Sequence, residues 1–310
     1  MNTLKEAINE YVLLRRDLGF KLVNTQRWLC DFASFMEDQG ALFITTEWAV
    51  KWALRPKHSQ PSYWAMRLIA VRRFALYRSA TDPRTEVPPV RFLPNRPRRA
   101  NPYPYTEKDI KRLMKAADTL RPRGGLRGLT YSCLLGLLAV TGLRISEALT
   151  LRLDDVDLEN GVLTIRKTKF GKSRLVPLHP STQRVLLQFA QRRDAHRGRA
   201  TITHFFVSER GKPLRALAVH RAFRILCHKI GLHASEGCDK PQLHHFRHRF
   251  ATTTLLRWYR STDDVERRLP LLSTFLGHVC ISSTYWYMSA YPELMGQAVR
   301  RLEHRWEKFS

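Results

Sequence analysis

Acidic residues are scarce in this chain: 27 Asp and Glu stand against 53 Lys and Arg, for a formal net charge of +26. Such an excess repels itself unless a polyanion lies against it, and charge that serves only solubility mixes both signs. Nucleic acid is therefore the expected partner. Long apolar runs are missing too. None approaches the roughly 20 residues needed to span a bilayer, and the opening MNTLKEAINEYVLLRRDLGF alternates charged with apolar residues, unlike a secretion signal. No membrane is expected as partner; the cytoplasm, on the nucleoid, is the expected location. The five cysteines, Cys30, Cys133, Cys227, Cys238 and Cys280, contain no CxxC pair, and their odd number argues against a complete disulfide framework. Reduced thiols follow.

With 310 residues the chain exceeds the usual single domain, so two are expected. Residues 1–82 read as a small helical domain. Leu4, Ile8, Tyr11, Val12 and Leu18 keep the 3.6-residue period until Gly19, and Trp28, Leu29, Phe32, Phe35 and Met36 keep it until Gly40. A third helix opens at Thr46 before Trp48, Val50, Trp52 and Ala53; a fourth, from Ser62, places Met66, Ile69, Ala70 and Phe74 on one side and Arg67, Arg72, Arg73 and Arg78 elsewhere. Residues 83–104 carry seven prolines from Pro83 to Pro104, which deny a regular helix or central strand, and read as a linker. Its Arg84, Arg91, Arg96, Arg98 and Arg99 suit a path along a phosphate backbone, as they would suit an ordinary solvated linker.

Residues 105–310 read as a mainly helical second domain with one small antiparallel sheet. Thr106 and Asp109 form a capping-box-like start. The apolar helix LTYSCLLGLLAV breaks at Thr141 and Gly142 and restarts as LRISEALTL. After the Asn160-Gly161 turn, GVLTIRK and SRLVPL read as two strands joined by the TKFGK reversal. The rest is helical, with RALAVHRAFRILCHKIGL stopping at Gly231 and ELMGQAVRRLEHRWEKFS reading as a terminal amphipathic helix.

Four segments carry candidate chemistry. In TGLRISE, Thr141 as a cap places Arg144 in the first helical turn, where free backbone N–H groups favour an anion; Glu147 could hold the guanidinium fork, and a surface pair at i,i+3 would have the same spacing. In LHHFRHRFAT, His244, Arg247, His248 and Ala251 share one helical face while Phe246 and Phe250 form an apolar stripe. A zinc site at His244 and His248 lacks the glutamate of HExxH and would set Arg247 beside the metal, so metal is not expected. In FLGHVCISSTYWYMSAYPEL, Gly277-His278 reads as a helix end delivering an imidazole, with Tyr287 nine residues later. Lys169 stands at the hairpin reversal.

Arg144 in TGLRISE, Lys169 in TKFGKSRLVPL, His244 and Arg247 in HxxRH, His278 in LGH and Tyr287 occur in one order over roughly residues 105–300, and this series resembles the tyrosine recombinase (phage integrase, Xer-like) family. Over the first domain and the linker the likeness is one of architecture and charge only. The resemblance implies a helical core-binding domain followed by a catalytic domain, and site-specific DNA strand exchange with no metal or other cofactor. It also implies a homo- or hetero-tetramer on two double-stranded DNA sites, with accessory recombination proteins as further candidate partners.

In that setting Tyr287 attacks a backbone phosphorus to give a 3′-phosphotyrosyl link, which conserves the bond for religation. A phenol of pKa near 10 costs about 4 kcal/mol to ionise at neutral pH, so cations or a proton acceptor must stand beside it. Arg144 and Arg247 suit the nonbridging oxygens, Lys169 the departing 5′-oxygen, and His244 and His278 a proton or phosphate bond. Tyr285 and Tyr291 are rival nucleophiles, and the stretch RWYRSTDDVERRLPLLS is longer than compact members suggest. Beyond the linker arginines, Lys172 and Arg174 beside the hairpin and Arg221 and Arg224 one turn apart are candidate DNA contacts. A type IB topoisomerase and a DNA-binding regulator that never cleaves are the competing functions.

Overall fold

Thr3 opens α1 (Leu4–Asp17) with a capping box, its hydroxyl accepting from the Glu6 amide at 3.2 Å while the Glu6 carboxylate accepts from the Thr3 amide at 2.8 Å. The computed structural model describes residues 3–95, 101–166, 173–197, 202–234, 238–261, 264–289 and 292–306. The chain divides into two compact units, Met1–Arg99 and Ala100–Ser310. In the first unit α1 is followed by α2 (Val23–Asp38), α3 (Thr46–Leu54) and α4 (Pro61–Arg78). Ile8, Leu29, Phe32, Met36, Trp52, Val71 and Phe74 meet in its core, each side chain contributing roughly 1.5–3 kcal/mol on leaving water.

The buried face of α4 differs from the expected one. Met66 is exposed, while Arg67 is buried beside Leu68, Val71 and Phe74. The reason is tertiary: the Arg67 guanidinium lies 3.8 Å over the Trp52 ring and donates to the Trp52 carbonyl at 3.1 Å and to Asp31 at 3.3 Å. Leu18, read as the end of the apolar stripe of α1, is also exposed. Described residues of the Pro-rich stretch pack on the cores. Val87 and Leu93 pack on the first core and Glu86 bonds to Ile44 and Thr46 there, whereas Tyr103 packs on the second. Arg84 is paired with Asp82 at 2.9 Å.

The second unit runs α5 (Glu107–Ala117), α6 (Leu126–Thr141), α7 (Ile145–Leu149), a short 3-10 turn (Leu153–Asp155), β1 (Val156–Asp157), β2 (Val162–Ile165), β3 (Arg174–Pro177), α8 (Pro180–Arg197), α9 (Ala216–Lys229), α10 (His244–Arg260), α11 (Val265–Leu276), α12 (Ser282–Ser289) and α13 (Pro292–Trp306). Mainly helical with one small antiparallel sheet, it has the expected fold class; β1 is a third strand that sequence reading did not separate. The sheet order is β1-β2-β3, with Leu163 opposite Val176 and Ile165 opposite Arg174. Leu163, Ile165 and Val176 alternate inward as the two-residue period requires.

Two cores lie side by side in this unit. One gathers Leu134, Leu138, Leu163, Val176, Phe206, Leu226 and Phe246; the other gathers Ala251, Leu255, Leu269, Leu272, Leu276 and Tyr287. Helix α10 supplies residues to both, so its second turn sits at their seam. Among the described residues no helix is long and apolar enough to cross a membrane.

Candidate active site

Phe246 sets the roll of α10. It is fully buried, stacked on Tyr105 with centroids 4.7 Å apart and an 8° interplanar angle, and edge-on to Phe223. The next residue, Arg247, is thereby aimed into the seam and is 1% exposed. A buried guanidinium needs acceptors. It finds them at two helix C-termini: Arg247 donates to the Gly142 carbonyl at 2.9 Å and to the Leu276 carbonyl. Both helices end in left-handed glycines, Gly142 (φ +61) after α6 and Gly277 (φ +67) after α11, and their last carbonyls point outward at the negative end of the dipole. Burial brings Arg247 down to about 10, which leaves it charged at neutral pH.

Arg144 lies one step earlier than expected. Thr141 ends α6, its hydroxyl donating to the Leu137 carbonyl, and Arg144 itself is the N-cap of α7. Its Nη1 donates to Glu147 Oε1 at 2.8 Å, its amide to Oε2 at 3.0 Å and its Nη2 to the Gly277 carbonyl at 3.4 Å. The Arg144 side chain keeps 33% exposure, so part of its fork still faces solvent. Arg174, a candidate DNA contact, is 9% exposed and turned inward, donating to both oxygens of Glu147 at 2.9 and 3.2 Å and to the Phe275 carbonyl at 2.8 Å. Burial would raise the Glu147 carboxyl, but Arg174 and then Arg144 outweigh it and hold it below the ordinary carboxylate range.

Tyr287, on α12, is 3% exposed and lies within electrostatic reach of Arg247 and Arg144. Its ring stacks beside His278 at 5.9 Å and meets His248 edge-on at 5.2 Å. Burial pushes the phenol up, against the pull of Arg247 and Arg144, so in the free protein it keeps its proton. Tyr285 is 51% exposed, and Tyr291 lies outside the described residues.

The imidazoles are held neutral. Protein crowding first, then the arginines and neighbouring rings, takes His244 and His278 to about 4 and His248 to about 3. His244 keeps an open side to solvent and contacts His248 at 4.8 Å. His278 Nδ1 is 2.7 Å from the Thr284 hydroxyl. His248 Nδ1 is buried without a hydrogen-bond partner.

The fold thus brings together Arg144, His244, Arg247, His278 and Tyr287. Lys169, Lys172, Arg98 and Arg99 lie outside the described residues. Arg221 and Arg224 are exposed on α9, opposite its buried Val219, Ala222, Phe223 and Leu226. Sequence reasoning missed the Thr284 contact and the inward role of Arg174, and assigned His248 no place at Tyr287. Thr284 precedes Tyr287 by one helical turn, a spacing that could have suggested it; nothing in the spacing marks Arg174. Among the described residues no group of three or more His, Cys, Asp or Glu converges as metal ligands would.

A family model described as "Phage integrase family" matches residues 105–293. The chain is 51% identical over 311 residues, 99% of each sequence, to a Sinorhizobium fredii protein named "Putative integrase/recombinase y4rB". It is 32% identical over 230 residues, 72% of this chain and 68% of the relative, to tyrosine recombinase XerD of Mycobacterium tuberculosis. Its fold is similar to that of a lambda integrase solved as a tetramer bound to a Holliday junction, with TM-score 0.66 and 16% identity over 92% of this chain and 77% of that one.

Proposed function

This chain belongs to the phage integrase family and is a site-specific recombinase that breaks and rejoins DNA, and we propose that Tyr287 is its nucleophile. The observation that carries this reading is that, of the two phenols described in its helix, Tyr287 is buried between His248 and His278 beside the charges of Arg247 and Arg144, while Tyr285 faces solvent.

The Tyr287 oxygen attacks the scissile phosphorus, forming the O–P bond as the bond to the 5′-oxygen breaks. Arg144 and Arg247 take up the charge that develops on the nonbridging oxygens, and both are already held in place before DNA arrives. The phenolic proton passes to an imidazole of the cluster. His244, His248 and His278 are neutral acceptors in the free protein, and a phosphodiester set among them raises their basicity by its negative charge. Lys169 supplies the proton to the departing 5′-oxygen. Reversal of these steps on a different strand completes the exchange.

Residues 1–82 serve as the core-binding half, residues 83–104 as the basic linker and residues 105–310 as the catalytic half. The working form is a tetramer on two DNA sites, in the cytoplasm with the chromosome. The solved lambda integrase assembly and the net charge of +26 support this arrangement.

Covalent capture tests the reading. A nicked duplex carrying inverted repeats from the DNA that flanks the gene releases a short strand on cleavage and traps the phosphotyrosyl link. Wild type should give a shifted band that survives denaturant, Tyr285→Phe should keep it, and Tyr287→Phe should bind DNA without capturing it. Capture that persists in Tyr287→Phe removes the assignment.

A further inference from the structure

We propose that Arg174 is a positioning residue for strand cleavage, acting on Arg144 through Glu147, and not a DNA contact; the inference rests on the recombinase reading above. Three elements meet at its guanidinium: it leaves the first residue of β3, grips both carboxylate oxygens of Glu147 on α7, and donates Nε to the Phe275 carbonyl near the end of α11. The fit is close enough to fix a neighbour. A Cβ at Gly277 would stand 2.8 Å from Arg174 Nη1 and 3.0 Å from its Cζ, so a side chain on the residue before His278 would displace the Arg174 guanidinium. The Gly277 carbonyl in turn accepts from Arg144 Nη2. Both groups that hold the Arg144 fork, Glu147 and Gly277, are therefore seated against Arg174.

The charges give this seating a consequence. Arg144, Arg174 and Glu147 sum to one positive charge, and of the two arginines Arg144 is the more exposed, at 33% against 9%. Arg174 and Glu147 form the inner, mutually neutralising pair, so the charge of Arg144 is left for an incoming phosphate. Without Arg174, the same carboxylate would pair with Arg144 alone and cancel the charge that the transition state needs. Lysine would restore the charge but not the three-point grip, since an ammonium lacks the planar fork.

The test separates rate from affinity, using the nicked inverted-repeat duplex at saturating concentration. Capture should slow about 10-fold in Arg174→Lys and about 100-fold in Arg174→Gln, while Kd stays within about twofold of wild type. Adding Glu147→Gln to Arg174→Gln should recover at least about fivefold of the lost rate, because the carboxylate that would silence Arg144 is gone. A neutral methylphosphonate at the scissile position should shrink the gap between Arg174→Gln and wild type to about threefold, since less charge has to be met. A merely destabilised fold would move neither of the last two. The inference is overturned if Arg174→Gln captures at the wild-type rate but binds weakly with a salt slope lower by about 0.9, as a phosphate contact would, or if the double variant is slower than Arg174→Gln. Absence of capture by the wild-type protein would instead remove the recombinase reading beneath it.

Discussion

His278 Nδ1 and the Thr284 hydroxyl stand 2.7 Å apart, joining the turn after α11 to a fully buried side chain of α12. Whichever of the two donates, the bond fixes the plane of an imidazole that stacks beside Tyr287 at 5.9 Å. Thr284→Val keeps the volume and removes the oxygen. It should cost about 1–2 kcal/mol of stability and slow covalent capture about 10-fold at saturating DNA, with Thr284→Ser close to wild type. Single-turnover capture with a parallel denaturant melt checks this; a Thr284→Val protein that captures at full speed would remove His278 orientation from the mechanism.

The neutral histidines predict acid sensitivity. His244 faces Arg247, His245 and Arg144; His248 faces His244, His245, Arg247 and His278; and His278 faces Arg247, Arg144, Arg174 and His244. Each takes up its proton in the unfolded chain near 6.5 but in the folded protein only near 3 to 4. The unfolded state therefore binds more protons throughout that interval, and stability, complete above about pH 6.5, falls as pH drops through it. The depressed Glu147 carboxyl adds in the same direction at the acid end. The Tm should decline steadily from pH 7 to 4, and His248→Gln should flatten the decline. Bound DNA should flatten it too, because its phosphates favour the charged imidazole. A Tm that rises on acidification would contradict the arrangement.

Gly142 carries two duties. At φ +61 it takes the left-handed turn that ends α6, and a Cβ there would meet Phe250 Cδ1 at 2.8 Å and Leu276 Cδ2 at 3.2 Å. Its carbonyl accepts from Arg247. Gly142→Ala should destabilise the protein by about 2–4 kcal/mol, combining left-handed strain with overpacking. Because the same shift moves an acceptor of Arg247, capture should fall more than the folded fraction does. Denaturant melts beside capture rates separate these, and proportional loss of both would mean that Gly142 matters only to folding.

Legibility in the sequence followed the range of the interaction. Helix starts set by local chemistry, such as Thr106 with Asp109, and stops set by glycine, such as Gly231 and Gly277, were readable because cap and helix are neighbours. So was the candidacy of Tyr287, which rests on the resemblance of the whole motif series that ends nine residues after His278. What misled was the burial of charge. Arg67 and Arg174 look like surface cations in any one-dimensional pattern, and only Trp52 and Asp31, or Glu147 and Phe275, far along the chain, turn them inward. Arg247 was placed on a cationic face, yet its depth below the surface depends on two carbonyls from helix ends at Gly142 and Leu276. The two-residue strand β1 has too few side chains to show a period.

Arg221 and Arg224 provide the contrast to the inward arginines, and with it a test of where DNA lies. They project one turn apart from α9, whose other face is anchored by Val219, Ala222, Phe223 and Leu226. Replacing both with alanine leaves that anchored face untouched, so the melt should stay within about 0.5 kcal/mol of wild type. If each neutralises a phosphate, the log-log salt dependence of binding should lose about 0.9 per side chain and affinity should fall for every duplex alike. If they reach base edges, affinity should fall for the inverted-repeat duplex more than for scrambled DNA while the slope holds. Under either geometry, capture at saturating DNA should keep the wild-type rate, because both guanidiniums are exposed on α9 and act on binding alone. A slowed saturated rate with unchanged binding would mean that α9 communicates with the chemistry and that the division drawn between outward binding arginines and inward positioning ones is wrong.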